Sequence, residues 1–141
     1  MNRYLLDVSA LVAVGFKGHE FFEPVAGWFQ ALRPGEDELA TCAITELGFV
    51  RVLALPQYGL SVEESKACLM RLKSSSRIGF VFASDDLDAS RLPRWVKAAK
   101  QITDGHLMQL AKANGAVLAT LDQNIPGAFL IPGENKVPGK G

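Results

Sequence analysis

Cysteine is scarce in this 141-residue sequence, neither charge is in surplus, and no long uninterrupted apolar run occurs. Two cysteines, Cys42 and Cys68, exclude a disulfide framework and a cysteine-built zinc site; both are expected as buried thiols in a reducing compartment. Fifteen Lys and Arg balance fifteen Asp and Glu. That balance excludes a histone-like protein or a polybasic membrane binder, while leaving room for a nucleic-acid enzyme with a local cationic patch. No stretch of about 18 uncharged apolar residues exists, so no membrane-spanning segment is expected. Arg3 ahead of an apolar run mimics a secretion signal, but Asp7 inside that run argues against one, and the expected setting is the cytoplasm. Apolar residues still make up 48% of the chain, enough for the core of one domain.

Strand-like and helix-like segments alternate. Tyr4-Leu5-Leu6 is a short apolar run ending at Asp7, and Val8 to Val14 reads as a helix stopped by Gly15. Glu20 to Leu32 carries Phe21, Phe22, Val25, Trp28, Phe29 and Leu32 at helical spacing. Leu39 to Cys42 is a candidate buried strand, followed by a helix through Glu46, Phe49, Val50 and Leu53 up to Pro56. Ser61 and Glu64 form a capping box opening a helix that ends at Ser74-Ser75-Ser76. Ile78 to Phe82 is β-rich, and Pro93 is expected to start a helix with Trp95, Ala98, Ala99 and Ile102 on one side. Thr103 reads as the N-cap of a helix from Asp104 to Asn114 that Gly115 terminates. Ala116 to Leu121 is the clearest strand, ending at Asp122, and Phe129 to Ile131 is a candidate last strand. Strands separated by helices predict a mainly parallel sheet covered on both faces, an α/β/α sandwich over residues 1–131. The Gly-, Pro- and Lys-rich residues 132–141 are expected to be a flexible tail.

Ligands of an open parallel sheet bind at the carboxyl ends of its strands, and acids recur at those points. Asp7 terminates the first strand, Glu46 follows the second, Asp104 opens a helix, and Asp122 terminates the Ala116–Leu121 strand. Each has a bland reading: Asp104 suits a positive helix end, Glu46 an exposed helix face, Asp122 a loop. Asp7 is harder to dismiss, because it interrupts a stretch that should be buried and an unpaired buried charge is costly. Two carboxylates about 4 Å apart repel by roughly 4 kcal/mol at an effective dielectric near 20, so a cluster of four calls for a counter-cation. An all-oxygen donor set suits Mg²⁺ or Mn²⁺ rather than zinc, and an acidic rim with Mg²⁺ points to phosphodiester chemistry.

These segments resemble the PIN-domain family. Leu5-Leu6-Asp7-Val8-Ser9-Ala10-Leu11 is similar to its opening motif, and Thr45-Glu46-Leu47-Gly48-Phe49-Val50-Arg51-Val52-Leu53 to its second acidic segment. Thr103-Asp104-Gly105-His106-Leu107 and Leu118-Ala119-Thr120-Leu121-Asp122 resemble the third and fourth. Their order, with a short gap between the last two acids, resembles VapC-type toxin ribonucleases over roughly residues 3 to 131. Gly105 departs from the pattern, in which a larger residue such as Ala is usual. The resemblance implies a PIN-like three-layer sandwich, Mg²⁺- or Mn²⁺-dependent endoribonuclease activity, and neutralisation by a cognate VapB-type antitoxin. It also implies a homodimer and a toxin–antitoxin hetero-oligomer. Asp7 and Asp104 would be metal ligands, Glu46 and Asp122 would complete the catalytic pocket, and Ser9 and Thr120 would orient carboxylates or serve as a local cap and strand residue.

RNA requires cations. Arg94, Lys97 and Lys100 recur every three residues on the expected Pro93 helix, and Arg51 follows Glu46 closely enough for the pocket rim. Lys66, Arg71, Lys73 and Arg77 form a second basic cluster; either set could instead be an ordinary solvated face. His106 is expected to pack or hydrogen-bond rather than ligate, His19 to lie on the surface, and Trp28, Phe29 and Trp95 to be core or dimer surface. A haloacid-dehalogenase-like phosphatase requires an Asp where Ser9 stands, and no Gly-rich phosphate loop is present. The remaining rival is a non-catalytic PIN-like protein that acts by binding antitoxin or RNA.

Overall fold

The computed structural model describes residues 1–131, so the expected tail at 132–141 lies outside the described residues. Five strands, β1 (Asn2–Leu6), β2 (Asp37–Thr41), β3 (Phe80–Phe82), β4 (Val117–Thr120) and β5 (Phe129–Leu130), form one sheet in the order β3-β2-β1-β4-β5. Every pairing is parallel. The helices are α1 (Val8–Gly15), α2 (Phe22–Ala31), α3 (Ala43–Leu53), α4 (Val62–Ser75) and α5 (Ile102–Ala113).

Strand periodicity divides the core. Leu6, Leu39 and Ala119 join Leu11, Val25, Trp28, Phe49, Leu53 and Leu69 in one apolar cluster, which α1 to α4 supply. Their strand neighbours Leu5, Ala40 and Leu118 point the other way, into a second cluster with Leu107, Leu110 and Ala111 of α5. The result is the expected three-layer α/β/α sandwich. From β1 the chain moves outward through β2 and β3, then crosses to the other side of β1 as β4. The strand order therefore reverses at β1, and a crevice opens beyond the carboxyl ends of β1 and β4.

Local chemistry sets the boundaries. Asp7 caps α1, and the Ser61–Glu64 box forms at α4 with both reciprocal bonds in place. His19 Nδ1 accepts the Phe21 N–H and the His19 carbonyl accepts the Phe22 N–H, so α2 begins at Phe22 rather than Glu20. Trp28 lies in the core, edge-on to Tyr4. Gly115 adopts φ +66 just beyond α5, the left-handed position a helix stop needs.

The helix expected after Pro93 does not form. Leu92 is extended ahead of the proline, and regular structure from 89 to 101 is limited to single 3₁₀ turns at Ala89–Arg91 and Ala99–Gln101. Gln101 Oε1 accepts the Lys97 and Ala98 N–H groups, which takes both donors away from a continuing helix. Helix α5 consequently grows out of the second 3₁₀ turn at Ile102, and Thr103 is inside it rather than its N-cap. Arg94, Lys97 and Lys100 are exposed but do not share a helical face.

Candidate active site

Asp7 follows the central strand at its carboxyl end and is only 8% exposed. Its Oδ1 accepts the Ala10 N–H at 2.9 Å and its Oδ2 accepts the Thr120 hydroxyl at 2.5 Å. Thr120 Oγ1 in turn accepts the Asp122 N–H at 2.9 Å, and Asp122 Oδ1 accepts the Asn124 N–H at 2.8 Å. A relay of hydrogen bonds thus links the ends of β1 and β4. Asp104 enters from the first turn of α5. Asp7, Asp104 and Asp122 line one open cavity of about 460 Å³ together with Ser9, His19, Glu20, Phe21, Thr120 and Leu121.

Burial raises the Asp7 carboxyl from 3.8 to about 6, and the charges of Asp104 and Asp122 push it the same way; the bonds from Thr120 and Ala10 pull it back only in part. Burial also raises Asp104, aided by Asp122. Asp7 thus feels the charges of Asp104 and Asp122, and Asp104 that of Asp122, a repulsion that a bound cation would relieve. Among the described residues no three His, Cys, Asp or Glu side chains close on one point as they lie. A cage made wholly of protein ligands is therefore not formed. The donor set instead fits a hard divalent cation that keeps several waters and takes one or two carboxylates directly.

Glu46 is not among the cavity-lining residues. Its Oε2 accepts the Thr41 hydroxyl at 2.6 Å and pairs with Lys73 Nζ. Ser9 is exposed at the cavity, and Thr120 is the hydroxyl that orients Asp7. Arg51, Arg94, Lys97 and Lys100 are exposed, and none lines the cavity. His106 pairs with Asp85 at 2.5 Å, which lowers the Asp85 carboxyl against the opposing effect of burial. Arg77 donates to the Phe29, Gln30 and Leu32 carbonyls at the end of α2, and Lys66 pairs with Glu63. The second basic cluster is thus divided among separate tasks.

Sequence reasoning missed the cavity wall formed by His19, Glu20 and Phe21. Burial lowers His19 below the ordinary imidazole range, against the effect of Glu20. The residue types His-Glu ahead of an aromatic pair were visible, but nothing in their spacing indicated a loop folded back over the strand ends.

A parallel three-layer sandwich whose reversed strand order gathers aspartates from the ends of β1 and β4 and from α5 has the architecture of a carboxylate-centred site. The PIN domain family model matches residues 4–128. Ribonuclease VapC44 of Mycobacterium tuberculosis is 34% identical over 95% of each chain, and ribonuclease VapC38 of the same organism is 33% identical over 86% of each. The crystal structure of M. tuberculosis VapC20, described as a Sarcin-Ricin loop cleaving toxin, aligns with a TM-score of 0.62 at 13% identity, covering 91% of this chain and 96% of that one. The chain belongs to the PIN-domain family, in its VapC-type group.

Proposed function

We propose that the protein is a toxic, Mg²⁺-dependent endoribonuclease that hydrolyses RNA phosphodiester bonds, with Mn²⁺ able to substitute. The observation that carries this reading is the convergence of Asp7, Asp104 and Asp122, from three separate elements, on one cavity. VapC-named ribonuclease relatives at 33–34% identity support the substrate class. Asp7 and Asp104 would hold the cation, Asp122 would hold it directly or through water, and Glu46 would be the fourth carboxylate of the acidic set. When bound, such a cation would supply Lewis acidity toward water and toward the phosphoryl oxygens.

The chain's own residues then orient the reaction. Thr120 and the Ala10 amide fix both oxygens of Asp7, so this ligand is preorganised. Ser9 offers a hydroxyl at the cavity to hold a carboxylate or phosphate oxygen. Water attacks phosphorus in line with the departing 3′ oxygen; the P–O3′ bond breaks and the water's protons pass to that oxygen and to solvent. Arg51, Arg94, Lys97 and Lys100 are proposed to contact the RNA backbone. The domain runs over residues 1–131, acts in the cytoplasm, forms a homodimer, and is neutralised in a hetero-oligomer by a VapB-type antitoxin. No helix among the described residues is long and apolar enough to cross a membrane.

Incubation of purified protein with total RNA in Mg²⁺, Mn²⁺ or EDTA, with ends mapped by sequencing, tests the reading. Cleavage is expected with either metal and is lost in EDTA and in Asp7→Ala. Cleavage undiminished by EDTA, or equal growth arrest by wild type and Asp7→Ala, would remove it and leave a toxin that acts by binding.

A further inference from the structure

Four acids converge on the rim in sequence, yet the fold delivers only three to the cavity. Glu46 lies in the first turn of α3 and Lys73 in the last turn of α4, each at the helix end that favours its charge. Their side chains retain 17% and 23% exposure, so the pair is largely withdrawn from water and holds more firmly than an open surface ion pair. The Lys73 ammonium also stands 5.6 Å from the Phe82 ring centroid, which fixes the lysine from a second side. Thr41, fully buried at the end of β2, donates to the same Glu46 oxygen that Lys73 engages. Glu46 therefore has a neutralising partner and a hydroxyl anchor, and it is not among the residues that line the aspartate cavity.

We propose that Lys73 is a positioning residue that holds Glu46 outside the three-aspartate pocket, so that the fourth carboxylate joins the cation only when the Lys73–Glu46 pair opens. This rests on the ribonuclease reading above and adds to it a residue that no acidic motif contains. The pair acts as a latch. While it is closed, Asp7, Asp104 and Asp122 face the pocket without Glu46, and more of the cation's shell would be left to water. Once it is open, Glu46 displaces a water and the cation is held more tightly.

Mn²⁺ serves as the probe, its affinity read by electron paramagnetic resonance titration and its bound waters counted from deuterium modulation in D₂O. Lys73→Met is expected to bind Mn²⁺ about tenfold more tightly, the scale typical of changed support around metal ligands, with a bound water fewer than wild type. Lys73→Arg, which keeps the charge and the pair, is expected to match wild type. The double variant Lys73→Met/Glu46→Gln is expected to return to wild-type affinity and water count. Lys73→Gln, which also removes the ion pair, is expected to shift both readouts in the same direction and carries the test if Lys73→Met does not fold. An unchanged water count in Lys73→Met, whatever its affinity, overturns the latch, because loss of a nearby positive charge alone changes affinity without adding a ligand. Wild type that binds Mn²⁺ no better than Asp7→Asn overturns the ribonuclease reading and the latch with it.

Discussion

Asp7 is at once a helix cap, a strand terminus and the most buried of the acids, and its two oxygens already have donors when no cation is considered. Its carboxyl stands at about 6 against 3.8 when unperturbed. Protonation of this group therefore favours the native state: its contribution is fully present below about pH 4 and is lost as pH rises through 6. Above that range the ionised carboxylate costs about 3 kcal/mol, taking roughly 1.4 kcal/mol per pKa unit. In EDTA at pH 7.5, Asp7→Asn is expected to melt several degrees above wild type, since Asn keeps the cap while removing the charge. At pH 4 the two should melt together. Asp7→Ala also removes the charge but forfeits the cap, about 1 kcal/mol, and should melt below Asp7→Asn. Calorimetry across pH checks all three, and an Asp7→Asn that is less stable than wild type at pH 7.5 would contradict the burial account. Asp7 as a special acid was legible in sequence because it broke an apolar run. The Lys73–Glu46 pair was not, because its members are 27 positions apart and no local pattern joins them.

Helix and strand packing decides two glycine positions. A Cβ on Gly48 would lie 2.4 Å from Val8 Cγ2, and one on Gly105 would lie 2.3 Å from Val96 Cγ2 and 3.1 Å from Pro93 Cδ. Gly48 thus lets α3 approach α1, and Gly105 lets the irregular 93–96 segment press against α5. The departure at Gly105 is explained by that segment. Gly48→Ala and Gly105→Ala are each expected to cost about 1–3 kcal/mol, the range for overpacking a close approach, read as a lower denaturation midpoint. A Gly105→Ala protein of undiminished stability would show that the 93–96 segment yields freely. Arg77 belongs to the same scale. Arg77→Ala is expected to cost about 1.5 kcal/mol or more through loss of charged bonds to the end of α2, with no change in KM for RNA; a raised KM would return this residue to the substrate path. The capping box and the β4 strand were readable from residue order alone. The expected Pro93 helix does not form, because a proline start followed by Trp95, Ala98, Ala99 and Ile102 on one side carries no information about whether Gln101 will take the backbone donors first.

At the scale of the molecule, zero net charge leaves RNA binding to local cations. Arg94, Lys97 and Lys100 lie on the irregular approach to α5, the helix that carries Asp104. Replacing all three by Gln is expected to raise KM and to flatten the salt dependence of binding by about one logarithmic slope unit for each phosphate that is no longer neutralised. Mn²⁺ binding in the pocket should remain as in wild type. An unchanged salt slope would leave these residues as a solvated face. The sequence by itself determined the layered parallel architecture and the four candidate acids, because burial periodicity, caps and strand termini are written in neighbouring residues. Only the tertiary structure decided that three of those acids share a cavity, that His19 and Glu20 wall it, and that Glu46 turns to Lys73. Those outcomes depend on strand order and helix packing, which bring together side chains whose separation along the chain carries no signal of their meeting.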